Sequence, residues 1–403
     1  MKFGSLLSIL LCLGLFCHSF ELVSQNRVRY SFNGCSLKEN NQKTQDISAK
    51  IPAQCDCGIE QEAVVSTGQT LLFPKQLDSF FFNDFSLCFT IKVPIGPVAE
   101  LDLFTKSWTC NGDTVLHITY RGKDSLFVFN LREGFDESIF MGAKAQVNKC
   151  WQQICLIKKA GIWRVFLNGE LADQETTNDL LRLDNGAPLT FNGSDCQTKG
   201  VLPLTGKLDE VIITDYALGI EEVKQIYKID QEILTPDTIV FLGEDVLLRS
   251  VLNCKSTVSW TPSANLASPD ELNTIARPSQ TTTYTLTMIS PDGCRAIDTV
   301  LVRVVDKNKL DCAQLRLPTA FTPNQDGIND LFFISNAYII DRLDYFEIHD
   351  RNGGTVAAYN SPTGKWDGTW NGKTVDPGVY FYRIAYTCKN EEYKKDGSFY
   401  LLK

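Results

Sequence analysis

Short runs of alternating apolar and polar residues recur along almost the whole chain, and they limit the possible folds more than any other feature. Residues 28–32, 115–120 and 163–167 are examples, and Gly, Asn and Asp residues separate such runs. Alternation places successive side chains on opposite faces of a strand, and short strands joined by turns are typical of β-sandwiches. One helical pattern interrupts them, at residues 220–227. The sequence therefore predicts an all-β, multi-domain protein.

Chain length and net charge limit the number of domains and the kinds of binding partner. The 403 residues are enough for two or three domains, and a hydrophobic content of 43% is ordinary for globular chains. The formal net charge is −9. Nucleic acids and anionic membrane surfaces attract basic patches, so we expect neither as a partner.

The first residues are typical of an export signal. Lys2 precedes an apolar run at residues 6–16, which is shorter than the roughly 20 residues that a membrane-spanning helix needs. We therefore expect residues 1–24 to be a signal peptide, with cleavage after Ser19 or Ser24 both left open. No other stretch is apolar and long enough to predict a membrane span.

Cysteine usage agrees with an exported chain. Of 14 cysteines, Cys12 and Cys17 lie in the signal segment. The others divide as eight, two and two along three regions: Cys35, Cys55, Cys57, Cys88, Cys110, Cys150, Cys155 and Cys196; Cys254 and Cys294; Cys312 and Cys388. Even numbers favour disulfides closed within each region, hence Cys254 with Cys294 and Cys312 with Cys388.

Two questions about the cysteines stay open in the sequence. Eight cysteines allow 105 pairings, so the connectivity of the first region cannot be read. Metal binding is the alternative to disulfides, but the C-x-C pair Cys55 and Cys57 has no companion C-x-x-C or histidine cluster. We expect no free thiol in the mature protein.

The C-terminal region carries a long motif. Residues 318–330 read P-T-A-F-T-P-N-Q-D-G-I-N-D, and I-H-D-R-N-G, W-D-G-T and P-G-V-Y-F-Y come after it at 348–353, 366–369 and 377–382. This region, residues 312–403, resembles the gliding-motility-associated C-terminal domain, the type B sorting signal of the type IX secretion system. Asn352 departs from the family, which usually has Trp there. The resemblance implies a β-sandwich sorting domain, the secretion machinery as a partner, and a secreted or outer-surface location.

Three segments of the first region, residues 26–228, point to a second family. They read V-R-Y-S-F-N-G at 28–34, W-R-V-F-L-N-G-E-L at 163–171 and G-K-L-D-E-V at 206–211. In this order they resemble the concanavalin A-like domains of the laminin G and pentraxin type. The resemblance implies a jelly-roll sandwich, a fold that serves both in binding modules and in glycosidases.

The middle region, residues 237–305, resembles the immunoglobulin-like, PKD-type modules of bacterial surface proteins. The segments that carry the resemblance are T-V-S-W-T-P at 257–262 and P-S-Q-T-T-T-Y at 278–284. Such modules are usually spacers, which implies an Ig-like sandwich without a site of its own. We expect Trp260 in its core.

The sequence offers one incomplete catalytic pattern and predicts no catalytic residue. A family of concanavalin-like glycosidases uses E-x-D-x-E or E-x-D-x-x-E on a strand, and Glu100 and Asp102 begin that pattern. The next carboxylate would stand at Phe104 or Thr105 and is missing, whereas retaining hydrolysis needs a second carboxyl group. An ordinary strand with a polar face explains these residues equally. After signal removal only His117 and His349 remain, in different domains.

Calcium is the cofactor that the sequence makes reasonable, because it takes six to eight oxygen ligands. Resemblance to laminin G and pentraxin modules implies a rim site at Asn192, Asp195 and Asp209, with Asn33 nearby. In the C-terminal region, oxygen-bearing side chains crowd together at Asn324, Asp326, Asn329 and Asp330. The alternative at both places is a turn in which these side chains bond to the backbone.

Taken together, these patterns predict a secreted or cell-surface, adhesin-like protein whose sandwich binds a glycan or a surface protein. The candidate aromatic contacts are Trp108, Tyr120, Trp151 and Trp163, each of which could instead lie in the core. The alternatives are an extracellular glycan hydrolase and a purely structural component of a surface layer or biofilm.

Overall fold

The computed structural model describes residues 25–94, 99–109, 114–134, 137–177, 181–193, 200–324 and 328–402. The predicted signal peptide lies outside the described residues, as do Cys110, Asp195, Cys196 and Asp326. The chain divides into two compact units. The first is Met1–Asp237 with Val246–Ala276 and Thr283–Leu301, and the second is Thr238–Asp245 with Arg277–Thr282 and Val302–Lys403. Residues 237–305, the predicted middle module, contribute to both units.

Most of the first unit is a sandwich of two β-sheets, and the predicted all-β class is confirmed. In chain order its strands are β1 (Arg27–Tyr30), β2 (Ser48–Ala49), β3 (Gln54–Cys57), β4 (Glu62–Thr67), β5 (Leu71–Leu72), β6 (Phe85–Lys92), β7 (Glu100–Lys106), β8 (Thr114–Arg121), β9 (Leu126–Glu133), β10 (Glu137–Lys144), β11 (Gln152–Lys159), β12 (Ile162–Leu167), β13 (Glu170–Thr176), β14 (Leu189–Phe191), β15 (Val201–Pro203) and β16 (Thr205–Thr214). The first sheet has the order β13-β12-β11-β6-β16-β4-β3, with β1 also on β16. The second has the order β10-β9-β8-β7-β14-β5-β2, with β15 also on β7.

Alternation along the strands builds the core of the sandwich. In β8, Leu116 and Ile118 are fully buried whereas His117 between them is not. The same rule fills the space between the sheets with large aromatic side chains, among them Tyr30, Phe73, Phe85, Phe89, Phe104, Phe129, Trp163 and Phe191. Burial of each such side chain contributes about 1.5–3 kcal/mol, so this core is the main source of the unit's stability.

The predicted helix is confirmed as α1 (Ile220–Ile226), which ends one residue earlier than expected. Glu222 accepts a hydrogen bond from the Gly219 N–H at 2.8 Å, which satisfies a backbone donor at the helix start. Val223 is fully buried, and it packs with Cys88, Cys155 and other residues of the first sheet. Ile220, one turn before Val223, is 57% exposed. Short 3-10 helices lie elsewhere, at Asn33–Cys35, Lys75–Phe81, Lys307–Lys309 and Ala337–Ile339.

The middle region has strands of two to eleven residues. Its strands are β17 (Glu232–Ile233), β18 (Thr238–Phe241), β19 (Val246–Leu248), β20 (Ser250–Val251), β21 (Thr257–Thr261), β22 (Thr274–Ala276), β23 (Thr282–Ile289) and β24 (Arg295–Val305). Antiparallel pairs join β21 to β23 and β19 to β22. Trp260 is buried as predicted, and its indole N–H donates to the Glu271 carbonyl at 3.0 Å. The resemblance to Ig-like modules stays a prediction.

The disulfides correct one prediction and confirm another. Cys254 and Cys294 do not pair with each other, because Cys254 is bonded to Cys57 and Cys294 to Cys150. Both partners belong to the sandwich, so the expectation of bridges closed within each region is wrong for the middle region. Cys312 pairs with Cys388 as predicted. The remaining bridges in the described residues are Cys35–Cys55 and Cys88–Cys155.

The C-terminal domain has its own sheet and core. Its strands are β25 (Ala320–Phe321), β26 (Phe332–Phe333), β27 (Arg342–His349), β28 (Thr355–Tyr359), β29 (Lys365–Trp366), β30 (Thr369–Trp370), β31 (Lys373–Thr374), β32 (Gly378–Cys388) and β33 (Glu391–Leu401). The main sheet has the order β25-β33-β32-β27-β28. At the centre of the core, the Phe332 and Phe399 rings stack with centroids 3.6 Å apart, and Phe321 and Trp366 pack around them.

Candidate functional site

The two sheets of the sandwich differ in what covers their outer faces. Every residue of β6, at the centre of the first sheet, is buried, because α1 lies over Cys88 and Cys155. In the second sheet, β9 alternates between buried and half-buried residues, and Phe140 on β10 is 63% exposed. The outer face of the second sheet, which we call the open face, is therefore accessible toward β9 and β10, whereas six of the seven residues of β7 are buried.

One row of side chains crosses the open face from strand to strand. Strand registers pair Thr190 with Leu72 and Thr105, Thr105 with His117, and Asn130 with both His117 and Phe140. The cross-strand row, as we call it, consists of Leu72, Thr190, Thr105, His117, Asn130 and Phe140. Adjacent strands lie about 4.7–4.9 Å apart, so the row presents one side chain per strand at that spacing.

A buried carboxylate holds the centre of the row in place. Asp102 is fully buried, and its Oδ1 accepts a hydrogen bond from the Thr105 hydroxyl at 3.1 Å. The same oxygen lies 3.1 Å from His117 Nε2. A neighbouring carboxylate sets the orientation of a histidine ring, so Asp102 fixes both side chains. On the same face, Glu100 Oε1 accepts from the Thr119 hydroxyl at 2.6 Å.

The pairing of β7 with β8 shifts by one residue between Asp102 and Phe104. This shift determines which side chain follows Glu100 and Asp102 on the open face. The Phe104 ring turns into the core, where it is fully buried. Thr105 takes the next place on the open face, as its bond to Asp102 shows. A hydroxyl therefore stands where the glycosidase pattern would need a carboxyl group, and Glu100 and Asp102 are the two carboxylates that this part of β7 offers.

Of the four candidate aromatic contacts, the structure exposes one. Tyr120, Trp151 and Trp163 are buried, with exposed fractions of 5%, 7% and 0%, whereas Trp108 is 57% exposed. The Trp108 indole N–H donates to the Asn185 carbonyl at 3.0 Å, which holds the ring at the rim of the sandwich. The Lys75 ammonium lies 5.5 Å from the centre of that ring.

Phe140 was missed by the sequence reasoning, because Ile139, Phe140 and Met141 form an unbroken apolar run that shows no alternation. Ile139 and Met141 on either side of it are buried, which is the period-two pattern of a strand. Because β10 was not predicted, its outward positions were not considered. Recognising residues 137–144 as a strand would have placed Phe140 on an outer face.

The sandwich residues proposed for calcium have other partners in the structure. Asn192 is buried, and its side chain bonds to Ser66 Oγ at 2.6 Å and to the Leu204 N–H at 2.8 Å. Asp209 is fully buried and accepts from the backbone N–H groups of Ile59 and Glu210. Burial, followed by the charge of Glu210, raises the pKa of Asp209 to about 8. Calcium at Asn192, Asp195 and Asp209 stays a prediction.

Of the C-terminal calcium candidates, Asn324, Asn329 and Asp330 lie between β25 and β26, and Asp326 is outside the described residues. The Thr322 N–H donates to the Asn329 carbonyl at 2.9 Å, and the Asn324 N–H to the Thr322 carbonyl at 2.8 Å. Asn329 has a φ of 56°, a left-handed conformation that Asn tolerates better than most residues. These features are those of a hydrogen-bonded turn, and calcium binding by Asn324, Asp326, Asn329 and Asp330 stays a prediction.

Two properties hold for the described residues as a whole. No cluster of three or more His, Cys, Asp or Glu side chains among them could hold a metal ion. No helix among them is long and apolar enough to cross a membrane.

Comparison with known protein families identifies two domains. Residues 66–224 match the model described as the concanavalin A-like lectin/glucanases superfamily. Residues 315–401 match the model described as the CHU_C type IX secretion signal domain. The chain thus carries a concanavalin A-like domain followed by a type IX secretion signal, and that signal directs it to the cell surface or the extracellular space. No curated protein matches the chain significantly.

Several solved structures are similar to part of the chain. Domain 4 of AbnA, a GH43 extracellular arabinanase from Geobacillus stearothermophilus in complex with arabinotriose, is 17% identical with a TM-score of 0.40, over 50% of this chain and 97% of that chain. The Ruminococcus gnavus IT-sialidase CBM40 bound to alpha2,6 sialyllactose is 14% identical with a TM-score of 0.32, over 37% and 85%. The binding domain of botulinum neurotoxin serotype D/C is 10% identical with a TM-score of 0.43, over 93% and 78%. Likeness at this level supports no conclusion about a ligand.

Proposed function

We propose that the protein is an adhesin-like, secreted or cell-surface protein that binds a glycan on the open face of its sandwich. The cross-strand row carries this proposal. It offers the half-buried hydroxyl of Thr190, imidazole of His117 and amide of Asn130 in one register, and it ends at the exposed ring of Phe140. Thr105, in the same row, is buried and donates its hydroxyl to Asp102. Sugar hydroxyls exchange hydrogen bonds with such polar groups, while the C–H faces of a sugar pack on aromatic rings.

Binding without hydrolysis agrees best with the polar groups of this face. Hydrolysis with retention needs two carboxyl groups about 5–5.5 Å apart that act as nucleophile and acid/base. Here Asp102 is bonded to Thr105 and His117, and Thr105 stands at the next position of the face. A carboxylate in that environment positions its neighbours, which is what a binding site requires.

The first experiment distinguishes a binder from a hydrolase. The purified full-length protein is run through gels that contain β-glucans, galactans or host glycans, and the same glycans are assayed for new reducing ends. We expect retention by at least one glycan and no turnover. Turnover that disappears in Glu100→Gln would replace this proposal with a hydrolase. Parallel gels with calcium and with a chelator test the predicted calcium dependence.

A second experiment locates the binding site. Phe140→Ala should weaken retention by about tenfold, which corresponds to about 1.4 kcal/mol. Val147→Ala is the matched control, because Val147 is 83% exposed and lies outside the row. If Trp108→Ala abolishes retention while Phe140→Ala leaves it unchanged, the site lies at the rim and the open face is the wrong surface. Retention of a surface protein and of no glycan would change the ligand class.

A further inference from the structure

The middle region is joined to the sandwich by two covalent bridges that are far apart in sequence. Cys57 at the end of β3 is bonded to Cys254, across 197 positions. Cys150, just before β11, is bonded to Cys294, across 144 positions. Cys294 immediately precedes β24, the strand from which the chain continues toward the C-terminal domain.

Polar contacts near the bridges join the same two parts of the first unit. The Lys92 ammonium, on a side chain that is only 9% exposed, lies 2.7 Å from Asp292 Oδ2 and donates to Ser290 Oγ at 3.0 Å. The Asn253 side chain donates to the Ile59 carbonyl at 2.6 Å. On the other side, the Ile297 N–H donates to the Asn148 carbonyl at 3.0 Å. The middle region is therefore fixed to the sandwich at several points.

We propose that these bridges form a tension-bearing clamp, which carries mechanical load from the sandwich to the C-terminal part of the chain. A load that enters the sandwich reaches Cys150, crosses to Cys294 and leaves along β24. Covalent bonds do not extend as unfolding polypeptide does. The connecting segment between α1 and β18 thus lies outside the shortest covalent path, whichever of the two bridges the load crosses.

The length of chain protected in this way is large. The Cys150–Cys294 bridge spans 144 positions, and at about 3.4 Å per residue this is on the order of 500 Å of extended polypeptide. Without the bridge, tension could draw out that length before the connection became taut. The clamp rests on the proposed function in one respect, because a bound ligand would be the source of the load. The covalent path itself does not depend on any ligand.

The test cuts the peptide connection and asks whether the molecule still carries force. A recognition sequence for a site-specific protease is inserted between Pro236 and Asp237, both of which are exposed. The full chain is tethered between an N-terminal and a C-terminal tag in a single-molecule force instrument. Cleavage leaves Cys57 and Cys150 in one fragment and Cys254 and Cys294 in the other. We expect the cleaved, oxidised tether to hold.

Reduction of the same cleaved molecule is the control, and it needs no variant that could fail to fold. Adding a reductant should release the tether, whereas an uncut molecule should remain attached and lengthen under load. Removing one bridge, as in Cys57→Ser with Cys254→Ser, should leave the cleaved tether intact because the other bridge still spans the cut. Loss of the oxidised tether on cleavage would overturn the clamp. The assay contains no glycan, so its failure is distinct from a failure of the proposed function.

Discussion

The middle region and the C-terminal domain each contribute two cysteines, and they use them in opposite ways. In the C-terminal domain, Cys312 pairs with Cys388 and closes the domain on itself. In the middle region, Cys254 and Cys294 both pair with cysteines of the sandwich. The same number of cysteines therefore closes the C-terminal domain on itself and cross-links the middle region to its neighbour, the sandwich.

Neither core size nor strand length explains the difference. The C-terminal domain buries a continuous aromatic cluster, to which Phe321, Phe332, Trp366 and Phe399 belong. The middle region buries Trp260, Tyr284 and Leu286, and strands of two residues occur in both regions. Small units bury too little apolar surface to be stable alone and commonly rely on cross-links. Both regions have such cross-links, and they differ in the partner, which is the sandwich in one case and the domain itself in the other.

The largest effect should result from removing the C-terminal domain. A chain that ends at residue 306 lacks the secretion signal at residues 315–401, so we expect it to accumulate in the periplasm instead of reaching the surface or the medium. Immunoblots of the periplasmic and extracellular fractions measure this. Full-length Phe140→Ala, which leaves the signal intact, should be exported normally. Export of the truncated chain in full amount would show that the sorting role is wrong.

Removing one bridge at a time should lower the stability of each region independently of the other. Chain-entropy arguments predict a loss of about 4–5 kcal/mol for either Cys57→Ser with Cys254→Ser or Cys312→Ser with Cys388→Ser. Because the bridges lie in different units, the first pair should shift only the unfolding of the sandwich and middle region. The second should shift only the C-terminal domain. Denaturant unfolding of each unit, detected by its sensitivity to protease, distinguishes the two double variants. Identical effects on both units would contradict the comparison.

A smaller effect concerns the pH dependence of the first unit. Burial raises the pKa of Asp209 from 3.8 to about 8, so the folded protein binds this proton more tightly than the unfolded chain. Stability from this group is therefore present below about pH 4 and is lost as the pH rises toward 8, with a slope of up to about 1.4 kcal/mol per pH unit.

Asp209→Asn provides the measurement. The substitution should flatten the dependence of the urea midpoint on pH, and it should lower the midpoint at acidic pH because the amide nitrogen cannot accept a backbone hydrogen bond. The unfolding of the C-terminal domain in the same sample serves as an internal reference. A wild-type first unit whose midpoint does not fall between pH 5 and 8 would contradict this account of Asp209.

Local patterns predicted local structure well. Alternation predicted strands such as β8 and β12, and spacing predicted α1, because both depend on neighbours within a few residues. The C-terminal motif predicted the secretion signal for a similar reason, since each of its four segments is contiguous in the chain.

Features that depend on distant partners were not predictable in this way. Nothing near Cys254 or Cys294 indicates bonds across 197 and 144 positions. The choice between Phe104 and Thr105 depended on a strand irregularity that alternation does not show. Likewise, four aromatic residues looked equivalent in sequence, and only three-dimensional packing separates the exposed Trp108 from the buried Trp151 and Trp163.

Disulfide mapping tests the central difference between the two regions most directly. The full-length protein is digested without reduction, and the cross-linked peptides are identified by mass spectrometry. We predict peptides that join Cys57 to Cys254, Cys150 to Cys294 and Cys312 to Cys388. A peptide that joins Cys254 to Cys294 would show that the middle region closes on itself, and it would contradict both the comparison and the clamp.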